Sequence, residues 1–179
     1  EELIEAVNKI KVRPSNSPIG KEYNDPDWLH RAWKIRDEYE LTPEEISKSI
    51  SIGIPTWLYG HEPPAPFPTH IAKYFANSVR EEGLLAIAKH GVIFAPGSAG
   101  TTQEIFQDAT QNHYGSMGYI SPMILFGIKR WTIERPLWDF LQKTSKGKMY
   151  GELLALTDDE GEIIRRILTY NPDIYKVKK

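Results

Sequence analysis

The chain has 179 residues, of which 22 are basic, 24 are acidic and none is cysteine, and its formal net charge is −2. This length allows one domain with a buried core, the balanced charge gives no basic excess for binding nucleic acid, and the lack of cysteine excludes disulfides, zinc–thiolate sites and thiol catalysis. No apolar run approaches the about 20 residues of a membrane span, and the chain begins without a signal-peptide pattern, so we expect a cytoplasmic protein that contacts neither membrane nor nucleic acid.

The N-terminal part of the chain predicts helices. Apolar residues recur at helical spacing over 1–10, and a Pro-, Ser- and Gly-rich loop follows over 13–27. A helix is expected over 28–39. A second helix is expected to begin at Thr42-Pro43, because Thr is a good cap and Pro suits the first helical position.

The next stretch predicts a strand over 56–59 that ends in a polar, Pro-rich loop. His61 and Glu62 lie in this loop. Open α/β sheets place ligands at the carboxyl ends of strands, so both side chains are candidates for substrate contacts. A surface loop stiffened by prolines explains the same residues equally well.

A long amphipathic helix is predicted over 69–90, with Gly83 as the point where it breaks or bends. Asn77 and Arg80 are three residues apart and therefore share a face of this helix, and Asn77 is a candidate for a substrate contact. An Arg there can bind a phosphate through two N–H groups, although an ordinary surface Arg is the commoner case.

Three short apolar runs, over 92–95, 122–126 and 153–156, predict buried strands. Helical patterns separate and follow them. Strands that alternate with helices indicate an α/β fold whose parallel sheet is covered on both faces.

The turn Pro96-Gly97-Ser98-Ala99-Gly100 joins the first of these strands to a helix expected from Thr101. The first N–H groups of a helix have no intrahelical acceptor, and the helix dipole favours an anion there. Such turns also occur without any ligand. Glu104, expected in the first helical turn, is either a helix-start acid or a carboxylate beside a bound phosphosugar.

The residues Pro96 to Glu104 resemble the PGGxGTxxE motif, with Ser98 in place of its second Gly. This motif marks the family of Lonely-Guy (LOG) phosphoribohydrolases, which was first described as lysine decarboxylases, and it also occurs in nucleotide 5′-monophosphate nucleosidases. The segments YGHEPP and QEIFQDATQNHY look like a bacterial branch of Rossmann-type nucleotide-binding proteins. The resemblance covers roughly 49–168 as a fold.

The resemblance implies residue roles. The positions that would hold the nucleotide phosphate are Gly97, Ser98, Ala99, Gly100 and Thr101. Glu104 would act at the ribose, by stabilising an oxocarbenium-like transition state or by activating water. The family's Arg on the preceding helix corresponds to Arg80 within about one residue of register, so Arg80 would join Glu104 in catalysis. No cofactor and no metal are implied.

The resemblance also bears on domain organisation. We expect a single Rossmann-like domain over 1–179, with a helical segment over 1–48 and a parallel α/β core over 49–170. Family members begin with a strand, a Gly-rich turn and a strand that ends in three glycines, and this sequence lacks all three. The chain is therefore expected to be a fragment whose sheet lacks the family's first strands.

The leading hypothesis is a nucleoside 5′-monophosphate phosphoribohydrolase that releases a free base and ribose 5-phosphate. The alternative is a nucleotide-binding protein without hydrolytic activity. Decarboxylation with pyridoxal phosphate is disfavoured, because the motif contains no Lys to form the Schiff base. The family resemblance also predicts a homodimer or larger homo-oligomer, for which Trp131, Trp138 and the helix over 103–114 are candidate interface or core residues.

Overall fold

The computed structural model describes residues 28–55 and 65–177. The fold is α/β, with parallel strands flanked by helices, which confirms the expected class. The chain divides into two compact units, of which the first ends at Arg80 and the second begins at Glu81. That 1–179 forms one Rossmann-like domain stays a prediction.

Two helices open the described part of the first unit, α1 (Trp28–Glu38) and α2 (Pro43–Lys48). Both were expected. The start of α2 is a capping box, in which Glu45 N donates to Thr42 Oγ1 at 3.3 Å and Thr42 N donates to Glu45 Oε2 at 2.8 Å. Pro43 occupies the first helical turn, where its missing N–H costs nothing.

The predicted helix over 69–90 is wrong in its first part. His70–Ile71 form strand β2, which pairs in parallel with β1 (Ile52–Gly53), and helix α3 covers only Asn77–Ile87. The reason is a pairing between distant segments: His70 N donates to Ser51 O, and Ala72 N to Gly53 O, both at 3.0 Å. Gly83 lies within α3 without interrupting it.

The second unit holds a three-stranded parallel sheet in the order β3-β4-β5. Its strands are β3 (Val92–Phe94), β4 (Met123–Phe126) and β5 (Leu154–Thr157), each within one residue of its predicted position. The connection from β3 to β4 is helix α4 (Ala99–Tyr114). It ends at Gly115, whose φ of 59° is the left-handed conformation that glycine tolerates.

Four further helical segments complete the second unit. A π-helical turn, Arg130–Glu134, follows β4 and was not predicted. Helices α5 (Trp138–Ser145), α6 (Met149–Glu152) and α7 (Glu160–Thr169) follow in order. Asp159 caps α7 by accepting a hydrogen bond from Gly161 N at 2.8 Å.

The sheet separates two apolar clusters. Ile105 and Ala109 of α4 pack with Met123 and Leu125 on one face, and Ile163 of α7 packs on the other face. Trp131 lies fully buried in the first cluster, so it is a core residue of this unit rather than an interface residue. Its indole Nε1 donates to Phe126 O at 2.8 Å, which satisfies the one polar atom of the side chain.

Some predictions fall on residues outside the described ranges. They are the helix over 1–10, the loop over 13–27, the strand over 56–59, and the substrate contacts of His61 and Glu62. Within the described ranges, no helix has the length and apolar character needed to cross a bilayer.

Candidate functional site

The carboxyl ends of β3, β4 and β5 share one edge of the sheet, because all their pairings are parallel. The loops that follow these strands contact each other there. Gly127 N donates to Thr157 O at 3.0 Å, and Ile128 N donates to Asp158 Oδ1 at 2.8 Å. Gly127 has a φ of +104°, and a Cβ on it would lie 3.1 Å from Pro96 Cγ. This is the edge at which open parallel sheets bind ligands.

Gly97 begins the turn between β3 and α4 and leaves no room for a side chain. A Cβ built on it would lie 2.0 Å from Oγ1 and 2.7 Å from Cβ of Thr101. The Thr101 side chain therefore fills the space beside the Gly97 backbone. The φ of Gly97 is not positive, so backbone conformation does not require glycine here. The packing of Thr101 does.

Gly100 lies in the exposed first turn of α4 and has no such reason to be glycine. Apart from its two chain neighbours and the backbone of its own helix, no described atom comes within 4 Å of a Cβ built there, and its φ is not positive. Alanine would fit and would be favoured in a helix by about 0.5–1 kcal/mol. A ligand that approaches the backbone closely would account for the glycine.

Ser98 is the N-cap residue of α4, with a φ of −113° and a ψ of −142°, and makes no side-chain cap hydrogen bond. Its carbonyl accepts from both N and Oγ1 of Thr102, each at 3.1 Å. The N–H groups of the residues before Thr102 have no acceptor within the helix by its geometry. With Ser98 and Ala99 exposed, these donors lie at the surface where an anion can reach them.

Glu104 lies in the second turn of α4, because the helix begins at Ala99 rather than at the predicted Thr101. The expectation of a first-turn acid is therefore wrong. Four residues separate Glu104 from Gly100, so the two share one face of the helix. Glu104 is half-buried. A ligand with its phosphate at the start of α4 and its sugar over this face would meet the carboxylate.

The residues beside Glu104 fix the rotation of α4. Gln103 Nε2 donates to Oε2 of Glu81 at 2.8 Å, and Glu81 is buried on α3 within the same unit. Ile105 is fully buried in the core. Since one neighbour faces α3 and the other faces the sheet, the direction of Glu104 is set by packing on both sides.

Arg130 is a site residue that the sequence analysis did not identify. Its guanidinium donates from Nη2 to Gly97 O and from Nη1 to Glu134 Oε2, the latter at 3.0 Å. The side chain is only 11% exposed. The contact with the turn spans 33 residues. The available signal was position: Arg130 follows a predicted parallel strand, and residues after such strands meet at one edge.

Asp108 lies one helical turn beyond Glu104 and is buried. Its Oδ1 accepts from Asn112 Nδ2 at 3.1 Å, and Asn112 Oδ1 accepts from Ser121 N at 2.8 Å. The other oxygen, Oδ2, has no hydrogen-bond partner among the described residues. Burial raises the pKa of Asp108 to about 7, because removing a carboxylate from water disfavours its charged form.

Asn77 and Arg80 lie in the first unit, whereas the turn and Glu104 lie in the second. Both are half-buried residues in the first turn of α3. Arg80 Nη1 donates to Ile54 O at 3.0 Å, so at least part of its guanidinium binds the chain's own backbone. The predicted catalytic role of Arg80 and the predicted substrate contact of Asn77 stay predictions.

An open cleft of about 790 Å³ lies elsewhere in the second unit, between α5, α6 and the C-terminal segment. Leu154, at the start of β5, lines it, and no residue of the 96–104 turn does. Ligands of parallel sheets bind at the carboxyl ends of strands, so we take the turn and not this cleft as the candidate site. Among the described residues, no group of three or more acidic or His side chains is arranged to hold a metal ion.

Comparison with known proteins adds no relative. No protein-family model matches the chain, and no curated protein is significantly similar to it.

Proposed function

We propose that this protein is a nucleoside 5′-monophosphate phosphoribohydrolase of the LOG type, which cleaves the N-glycosidic bond to give a free base and ribose 5-phosphate. The observation that carries the proposal is Gly100: a glycine in an exposed helical turn, four residues before Glu104, with no side chain of the described residues, apart from its two chain neighbours, within 4 Å of where its Cβ would be. A phosphate bound against the backbone explains the glycine, and a sugar beyond it explains the acid.

The phosphate part of the proposal rests on the start of α4. The N–H groups of the first turn carry partial positive charge, and Ser98 does not cap them. The Thr101 side chain lies against Gly97 at the same turn. Backbone N–H groups and a hydroxyl together bind the oxygens of a phosphate monoester.

The ribose part rests on Glu104. Cleavage of an N-glycosidic bond passes through an oxocarbenium-like transition state, so a nearby carboxylate stabilises the positive charge that develops on the sugar. Glu104 shares its helix face with Gly100 and is held in direction by its packed neighbours, which keeps the cost of reorganisation low.

A nucleotide-binding protein without hydrolytic activity is the second candidate, and Ser98 favours it. Its exposed hydroxyl makes no cap hydrogen bond and can donate to a phosphate. Such a hydrogen bond would raise the affinity for the phosphate without contributing to cleavage of the N-glycosidic bond. The homo-oligomer stays a prediction, which light scattering at micromolar concentration tests.

The deciding experiment combines a hydrolysis assay with a binding assay on Glu104→Gln. Wild type is incubated with AMP, other nucleoside monophosphates and N6-prenyl-AMP, and base release is measured. Because the carboxylate acts on charge that develops in the transition state, Glu104→Gln should lower kcat by roughly a hundredfold or more and leave nucleotide affinity nearly unchanged.

Asp139→Asn is the matched control, since Asp139 is an exposed acid on α5 and its loss changes net charge equally. Its kcat should equal that of wild type. Nucleotide binding by wild type without base release from any substrate would leave the second candidate. Absence of both binding and release would refute both candidates.

A further inference from the structure

Arg130 lies behind the candidate phosphate turn with its charge fixed in place. Glu134 holds Nη1 at 3.0 Å and the Gly97 carbonyl accepts from Nη2. The π-helical turn positions both members of the ion pair, and it closes through a bond from Arg135 N to Arg130 O at 2.8 Å. Such π-helical segments occur frequently at functional sites.

The hydrogen bond to Gly97 O fixes the orientation of the whole Gly97–Ser98 peptide group and not of the carbonyl alone. In a trans peptide, the C=O of one residue and the N–H of the next point in opposite directions across a rigid plane. The carbonyl of Gly97 and the N–H of Ser98 belong to one such plane. With the carbonyl directed at Arg130, the Ser98 N–H is directed away from it, and the oxygen cannot turn toward an anion bound on the other side.

We propose that Arg130 is a positioning residue for phosphate, which holds the Gly97–Ser98 peptide with its N–H toward the ligand and thereby makes the site selective for phosphorylated over unphosphorylated nucleosides. This inference rests on the proposed function. Loss of the guanidinium removes the hydrogen bond that holds the carbonyl, and a flipped peptide presents an oxygen to the phosphate. The fixed cation also adds to the positive potential of the helix start.

Lys129 provides the matched control. It precedes Arg130 and also carries a positive charge, but its side chain is 76% exposed and its Nζ lies 3.6 Å from Glu134 Oε1. Lys129→Met therefore removes one charge at nearly the same place while it leaves the bond to Gly97 intact. A purely electrostatic effect of distant charge would appear in both variants, and a positioning effect would appear in Arg130 variants alone.

The experiment measures the affinities of wild type, Arg130→Met, Arg130→Lys and Lys129→Met for inorganic phosphate, AMP and adenosine by calorimetry, with folding checked by circular dichroism. Arg130→Met should weaken phosphate and AMP binding by about tenfold or more and change adenosine binding little. Lys129→Met should change the ratio of AMP to adenosine affinity less than about twofold, as expected for an exposed charge.

Arg130→Lys keeps the positive charge but loses the planar guanidinium. Its ratio of AMP to adenosine affinity should therefore lie between those of wild type and Arg130→Met. If Arg130→Met does not fold, the ratio in Arg130→Lys decides. An unchanged AMP-to-adenosine ratio in folded Arg130 variants, or an equal loss in Lys129→Met, would overturn the proposal while phosphate binding itself stands. A wild type that binds neither phosphate nor AMP would overturn it together with the proposed function.

Discussion

Gly97, just before α4, and Gly100, in the first turn of α4, are glycine for different reasons. Gly97 is required by the protein, because the Thr101 side chain occupies the place of its Cβ. Gly100 is required by nothing that the described residues contain, since its surroundings are open and its backbone is helical. Packing therefore explains the glycine at position 97, and the inferred ligand explains the glycine at position 100.

This contrast predicts opposite effects on stability for two alanine substitutions. Gly97→Ala should destabilise the protein by about 1–3 kcal/mol, because the β-branched Thr101 has to move away from the new Cβ. Gly100→Ala should be neutral or stabilise by up to about 1 kcal/mol, because alanine is the better helix former. Chemical denaturation measures both.

Phosphate affinity is the second measurement on the same pair. Both variants should bind inorganic phosphate at least about tenfold more weakly than wild type. In Gly100→Ala, the cause is the new Cβ, which stands where the ligand approaches the backbone. A stable Gly100→Ala that binds phosphate as wild type does would remove the observation on which the proposed function depends.

Helix α4 joins the candidate site to a buried polar network, and this gives the helix a pH-dependent stability. Asp108 has a raised pKa of about 7 in the folded protein against 3.8 in its ordinary state. Between these values the unfolded chain releases the proton and the folded protein keeps it. The free energy of unfolding therefore falls as pH rises from about 4 to about 7 and is constant above, a loss on the order of 4 kcal/mol.

Asp108→Asn should abolish this loss. The amide oxygen can still accept from Asn112 Nδ2, and the new NH₂ replaces an oxygen to which no described residue donates a hydrogen bond. The variant should match wild type near pH 4 and exceed it in denaturant midpoint at pH 8. Asp139→Asn controls for net charge. An equal difference between variant and wild type at every pH would contradict the assignment.

The sequence predicted the elements whose cause is local. The strands β3, β4 and β5 are short apolar runs ended by Gly, Pro or polar residues, and α2 begins at a capping residue. The strand β2 was missed because Ile71 fits a helical apolar stripe, whereas its pairing with Gly53, a residue distant in sequence, decides its conformation. Periodicity does not contain that information.

The candidate site, too, was predictable from the sequence only in its local part. The turn and Glu104 follow from the motif, since its residues are contiguous. Arg130 does not, because its contact with Gly97 depends on parallel strand ends that meet and on a π-helical turn that follows no 3.6-residue pattern. The buried state of Asp108 was equally hidden: an acid in an amphipathic helix is expected at the surface.

At the scale of the whole molecule, the candidate ligand and the protein carry charge of the same sign. The net charge is −2, so long-range attraction does not bring a phosphate to the site. Recognition has to come from groups at the turn itself: helix N–H donors, the Thr101 hydroxyl and the fixed guanidinium of Arg130. All of them lie in the second unit.

Phosphate should therefore stabilise the second unit locally. A ligand at about 100 times its Kd adds about 2.7 kcal/mol to the stability of the state that binds it. Hydrogen exchange with and without inorganic phosphate should show added protection at 98–104 and 127–134, because the ligand and Arg130 hold these two segments against each other. Helices α1 and α2 belong to the first unit, and we expect them to exchange at unchanged rates. Gly100→Ala, measured at the same phosphate concentration, should lose the protection at both segments. Protection at α1 and α2 of equal size, or protection that persists in Gly100→Ala, would place the anion elsewhere on the protein.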